Sequence, residues 1–135
     1  MPDAAQIITP WRWPHFTAAE FRCQCGCGRA DMDPGFLDRL MRLRSLYGRP
    51  MKISSGYRCP KHNAAVSSTG ADGPHTTGHA ADIAVSRADA LRLMWLAEDA
   101  GMTGVGVAQK GAARFIHVDD LPDGPGQPRP TIWSY

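Results

Sequence analysis

Two histidines and an aspartate fall within ten residues at positions 73–82, "GPHTTGHAAD", among side chains that are otherwise small or hydroxylated. Such a stretch suits neither a core nor a plain surface. A further histidine, His117, lies in "RFIHVDDL". His75, Asp82 and His117 together have the donor chemistry of a catalytic zinc set: nitrogen and oxygen ligands suit Zn2+, and three protein ligands leave a fourth position for water. Spacing alone carries this weakly, because five histidines in 135 residues yield some His/His/Asp combination by chance. If residues 114–120 form a strand, Phe115, His117 and Asp119 share one face, and Ile116 and Val118 share the other. Asp119 then either orients His117 or acts as a base for water at the metal.

The four cysteines are the second group with chemistry to offer. Cys23, Cys25 and Cys27 alternate within "CQCGCG", and Cys59 stands alone in "YRCPKHN". Closely alternating thiols do not pair easily with one another, although one of them can bridge to Cys59 if the fold brings the segments together. Free structural thiols are a second possibility. A small thiolate metal site is a third, without the C-x2-C spacing of ordinary zinc ribbons.

These residues need a scaffold. "TAAEF" carries the T-x-x-E spacing of a capping box at Thr17 and Glu20 and starts a short helix. "DPGFLDRLMRLRSLYGRP" is a clear helix: Asp33 caps it, Pro34 sits in its first turn, and Phe36, Leu37, Leu40, Leu43, Leu46 and Tyr47 recur at helical spacing until Gly48 and Pro50. "MKISSGYR" predicts a strand, "PKHNAAV" a short helix, and "SSTGADGPHT" a loop leading into a second strand, "HAADIAV". Ser86 and Asp89 are placed to cap a helix ended by Gly101, in which Leu91, Met94 and Trp95 form an apolar stripe for core packing. "GVGVAQK" and "RFIHVDDL" form a hairpin. The tail from Pro122, with four prolines, is expected to lie over the surface. The fold class is α+β: one domain over 1–135 with a small antiparallel sheet flanked by helices, an irregular arm at 1–15 and a Pro-rich tail at 122–135.

Fifteen basic and thirteen acidic residues give a net charge of +2, with the arginines scattered instead of striped. That balance points to no nucleic-acid partner, and without an 18-residue apolar run no membrane insertion is expected. The opening "MPDAAQIITPWRWPHF" lacks the basic and apolar regions of a secretory signal, so synthesis in the cytoplasm without export by that route is expected.

His75, Gly78, Ala80 and Asp82 of "HTTGHAADI" fit an H-x-x-G-x-A-x-D pattern. "SSGYRCPKHN" at 54–63, "FIHVDD" at 115–120 preceded by "GVGV", and the opening "FTAAEFRCQCGCG" accompany it in order. This set resembles the zinc D-Ala-D-Ala carboxypeptidase family of peptidoglycan peptidases, in its small single-domain phage and bacterial members. The resemblance implies a zinc D,D-peptidase (hedgehog/DD-peptidase-like) fold and one zinc held by His75, Asp82 and His117. Gly78 and Ala80 become the small residues that let the turn close around the metal. Arg58 becomes the residue that binds a substrate carbonyl or carboxylate, for which its planar donor fork is suited, and that stabilises charge growing on the carbonyl oxygen. Arg129 and Trp133 correspond to a C-terminal Arg/Trp element, with Trp133 on the substrate side. His79 falls at a variable position, outside the ligands. The implied substrate is the peptidoglycan stem peptide, cut by a monomer acting on the cell wall, after phage-assisted release if it is an endolysin.

One position departs from that pattern. Many relatives carry a carboxylate three residues before the last zinc histidine as catalytic base, where this chain has Arg114. Asp119 is then the best local carboxylate. Arg114 also motivates a rival, a catalytically silent zinc-containing module that binds the wall. A thiol-based redox or metal-storage protein built on "CQCGCG" is a further alternative.

Overall fold

The first long helix begins where the chain offers a cap. The Asp33 carboxylate accepts from the Phe36 N–H at 2.9 Å, and Pro34 occupies the first turn, where its missing N–H leaves no bond unmade. This helix, α1 (Pro34–Tyr47), buries Phe36, Leu37, Leu40, Leu43 and Tyr47 and leaves Leu46 on the surface. The computed structural model describes residues 10–135; most of the expected irregular arm lies outside the described residues. Thr17 and Glu20 form the expected capping box, on a single 3-10 turn, Ala18–Phe21.

Five strands follow: β1 (Ile53–Ser55), β2 (Ala80–Ala84), β3 (Gly104–Ala108), β4 (Phe115–Asp119) and β5 (Thr131–Ser134). They form one sheet in the order β1-β2-β4-β3-β5. Helix α2 (Pro60–Val66) lies between β1 and β2, and α3 (Arg87–Ala97) between β2 and β3. The expected hairpin is β3 and β4, paired antiparallel.

Two expectations need correction. The tail does not simply cover the surface: it ends in β5, which pairs parallel with β3 and makes the sheet mixed instead of antiparallel. The last proline is Pro130, one residue before the strand, and β5 is at the sheet edge, so no ladder bond is lost to a missing N–H. On α3, the core side is Ala90, Leu93 and Ala97, whereas Leu91 and Trp95 are 60% and 75% exposed. Both stripes have helical spacing. The small alanines win the inner face because they let the helix lie close to the sheet. Ser86 stands at the N-cap without a side-chain capping bond, and Asp89 pairs with Arg49 at 2.9 Å.

The core joins α1 and α3 to one face of the sheet through Leu40, Leu43, Leu93, Ile83, Ile116 and Val118. Period-2 alternation therefore sends Asp82, His117 and Asp119 to the other face. No helix is long and apolar enough to cross a membrane among the described residues.

Candidate metal centre

Strand register aligns the centre. Asp82 on β2 is opposite His117 on β4, His117 is opposite Gly106 on β3, and Gly106 is beside Trp133 on β5, one row across four strands. His75 reaches this row from a 3-10 turn, Pro74–Thr76, ahead of β2. Its return depends on Gly78, whose φ of 79° is left-handed and whose absent Cβ would collide with the Asp31 carbonyl. The Asp33 N–H bonds the Gly78 carbonyl at 3.0 Å and fixes that loop.

Three atoms converge. Asp82 Oδ1 is 3.1 Å from His75 Nε2 and 3.0 Å from His117 Nδ1, and the two ring nitrogens are 3.3 Å apart. All three side chains are buried. The opposite nitrogens decide what these atoms are. His75 Nδ1 faces the Gly56 carbonyl at 2.7 Å, and a carbonyl only accepts, so Nδ1 carries the proton and Nε2 a lone pair. His117 Nε2 donates in the same way to Asp119 Oδ2 at 2.8 Å, which leaves a lone pair on Nδ1. Two lone pairs and a carboxylate oxygen aimed at one another among buried side chains repel unless a cation or a proton lies among them. Tetrahedral zinc, with bonds of about 2.0–2.1 Å, sets its ligand atoms about 3.4 Å apart, so the donor set fits the ion with little opening.

Burial disfavours charge on His117, but hydrogen bonds and charge from Asp119 and Asp82 more than offset it and hold the imidazole above its usual range. Burial likewise acts to raise Asp82, yet its bonds to His117 and His75 keep it well below the usual carboxylate range. Asp119 is also held low: burial is outweighed by hydrogen bonds from His117 and Arg129.

Asp119 lies behind the His117 ring, on the side away from His75 and Asp82, and is fully buried. Arg129 donates Nε to Oδ1 and Nη2 to Oδ2, both at 2.9 Å. Of the two roles expected for Asp119, this is the geometry of the orienting one. A Cβ on Gly104 would collide with Asp119 Oδ1 and lie 2.6 Å from Arg129 Nε, so the ion pair needs glycine there. A Cβ on Gly106 would lie 2.7 Å from Trp133 Nε1. Trp133 is wedged between His117, its ring centroid 5.0 Å away, and the Arg129 guanidinium, 5.1 Å from the ring. Tyr135 packs on Phe115 at 5.2 Å.

Arg58 stands at the rim, Nη2 3.6 Å from Asp82 Oδ2, and Nη1 donates to Asn63 Oδ1 at 3.1 Å. Arg114 is elsewhere: its Nε donates to the Gly111 carbonyl at 2.8 Å in the β3–β4 turn. His79 lies outside the three-residue set and bonds Asp120 at 2.8 Å. No disulfide joins any two of the four cysteines. Sequence reasoning did not find Gly56, Asn63, Gly104 or Gly106. The two β3 glycines left a signal, since alternate residues of "GVGV" share the face of His117 and Asp119 once the hairpin closes.

The family described as Peptidase M15 matches residues 14–119. The chain belongs to the peptidase M15 family, and with it to a class of zinc-dependent metallopeptidases directed in general at peptidoglycan. No match is found among curated proteins.

Proposed function

We propose that the protein hydrolyses peptidoglycan stem peptides at a bond involving a D-amino acid, with zinc held by His75, Asp82 and His117. The observation that carries this reading is the convergence of two histidine lone pairs and one carboxylate oxygen, each ring fixed from behind by Gly56 or Asp119. Held by these three residues, a zinc ion would supply Lewis acidity toward a scissile carbonyl and toward water. Arg58 presents its fork at the rim to a substrate carbonyl or carboxylate, steadied by Asn63. Asp119 keeps the Nε2 proton on His117, and Arg129 keeps Asp119 charged. Trp133, packed on His117, and Tyr135 stand on the β5 side of the site. Action on the cell wall, with release of the phage-lysin kind through a permeabilised membrane, belongs to the same reading.

Mass spectrometry of purified muropeptides after incubation tests it, with chelated protein and a His117→Ala variant alongside. Loss of terminal D-Ala, or release of cross-links, in the untreated sample alone is expected, and the product names the bond. A specific observation favours a second reading: both Asp119 oxygens are engaged, and Arg114 stands where the family resemblance implies a carboxylate. A zinc-holding module that binds the wall without cutting it would show stoichiometric zinc, sedimentation with peptidoglycan and intact muropeptides.

A further inference from the structure

Four sulfurs gather where the loop of residues 23–27 meets Cys59. Cys23 Sγ is 3.4 Å from Cys25 Sγ and 3.7 Å from Cys59 Sγ, and Cys25 Sγ is 3.7 Å from Cys59 Sγ. Cys27 completes the group, with all four ligand atoms within 4.8 Å of one another. A tetrahedral tetrathiolate with metal–sulfur bonds of about 2.3 Å has its sulfurs about 3.8 Å apart. A disulfide would use two of these thiols and give the other two no reason to join them.

The backbone is shaped for this convergence. In an extended chain, alternate residues share a face but stand about 6–7 Å apart, too far for three thiols to meet. Here residues 24–27 turn, and Gly26 and Gly28 take left-handed φ values of 90° and 84°. The Cys23 N–H closes the neck of the loop on the Arg29 carbonyl at 2.8 Å. Cys59 arrives from the other side, just ahead of α2, and its N–H donates to Cys23 Sγ at 3.3 Å. An N–H donated to sulfur favours the thiolate, the form that binds metal.

We propose that Cys23, Cys25, Cys27 and Cys59 form a second metal site, a closed structural centre that holds one zinc ion as a tetrathiolate. Each thiol gives up its proton on binding and no electron moves. With four sulfur ligands there is no open position for water, so the centre does no hydrolysis itself. Its task is mechanical. The Gly56 carbonyl fixes the tautomer of His75, the Tyr57 N–H bonds the Phe21 carbonyl at 2.9 Å, and the Arg58 N–H bonds the His75 carbonyl at 3.0 Å. The thiolate centre ties Cys59, the next residue, to the loop that follows Phe21. It thereby anchors the segment that orients one candidate ligand of the other metal and carries Arg58.

The test uses the full chain purified under reducing conditions with zinc. Native mass spectrometry and elemental analysis should find two zinc ions per chain in the wild type and one in His117→Ala. Cobalt(II) exchanged into His117→Ala should give the intense near-ultraviolet sulfur-to-cobalt charge transfer of four thiolates, which a His/His/Asp set does not produce. Cys25→Ser, which alters the exposed ligand, should lose that band and one zinc. Should that variant fail to fold, titrating the wild type with an organomercurial should release one zinc for every four thiols. The proposal is overturned if cobalt in His117→Ala shows no charge transfer, or if the denatured protein offers only two titratable thiols. Hydrolysis is not among these readouts, so failure of the peptidase reading and failure of this one are separable.

Discussion

Arg129 meets Asp119 through two parallel hydrogen bonds, Nε to Oδ1 and Nη2 to Oδ2, both 2.9 Å, directly behind the imidazole of His117. Both side chains are almost wholly out of water. Removing one partner of such a pair leaves a buried charge uncompensated, at a cost of about 3–5 kcal/mol. Arg129→Ala is therefore expected to lower the melting temperature strongly and to weaken zinc binding. Arg129→Lys should keep the charge but lose the fork, and fall between the two. Thermal unfolding of metal-loaded and chelated samples reads both effects.

Asp119→Asn separates orientation from base catalysis. If Asp119 positions His117, losing its charge should weaken zinc binding by about 10–100-fold, as changes to the partners of metal ligands do. Competition with a chromophoric chelator measures that constant. An unchanged affinity with a collapsed kcat would instead make Asp119 the base.

Gly104→Ala and Gly106→Ala act on two neighbouring rows of the same sheet face, opposite Asp119 and His117 respectively. The first should drive apart Asp119 and Arg129, and the second should displace Trp133 from His117, because the added methyl occupies space those groups fill. Overpacking of this kind costs about 1–3 kcal/mol. Tryptophan fluorescence of Gly106→Ala should shift while the far-ultraviolet circular dichroism stays the same.

Spacing in "HTTGHAAD" pointed only weakly to a ligand set, which the family resemblance carried; the alternation that puts Asp119 on the face of His117 was legible because it is local, and local pattern survives folding. α1 was legible for the same reason: cap, proline and periodicity agree. The pairing of Arg129 with Asp119 was not, since it is set by β5 joining β3, which the four prolines of the tail concealed. Nor was the inner face of α3. Leu91, Met94 and Trp95 are as periodic as Ala90, Leu93 and Ala97, and only the sheet beneath the helix selects the smaller set. Trp95→Ser, at a surface position, should accordingly change stability by no more than about 0.5 kcal/mol in urea titration.

The metal-free protein should have a distinctive pH profile. Asp82 and Asp119 are held below their ordinary range in the fold, so the stability they contribute is present above the unfolded carboxylate pKa and is lost as pH falls through the folded values. His117 is held above its ordinary value, so its contribution is complete below the unfolded histidine pKa and is lost as pH rises through the folded one. Chelated protein should therefore be most stable between the carboxylate and histidine ranges and should weaken on both sides. Saturating zinc should remove the alkaline loss, because the ion replaces the proton that His117 gives up and stabilises the folded state by mass action. Denaturant midpoints measured across pH, with and without zinc, check this. If the alkaline limbs run parallel in the two series, a proton shared by His117 and Asp82 is not what holds the empty pocket together.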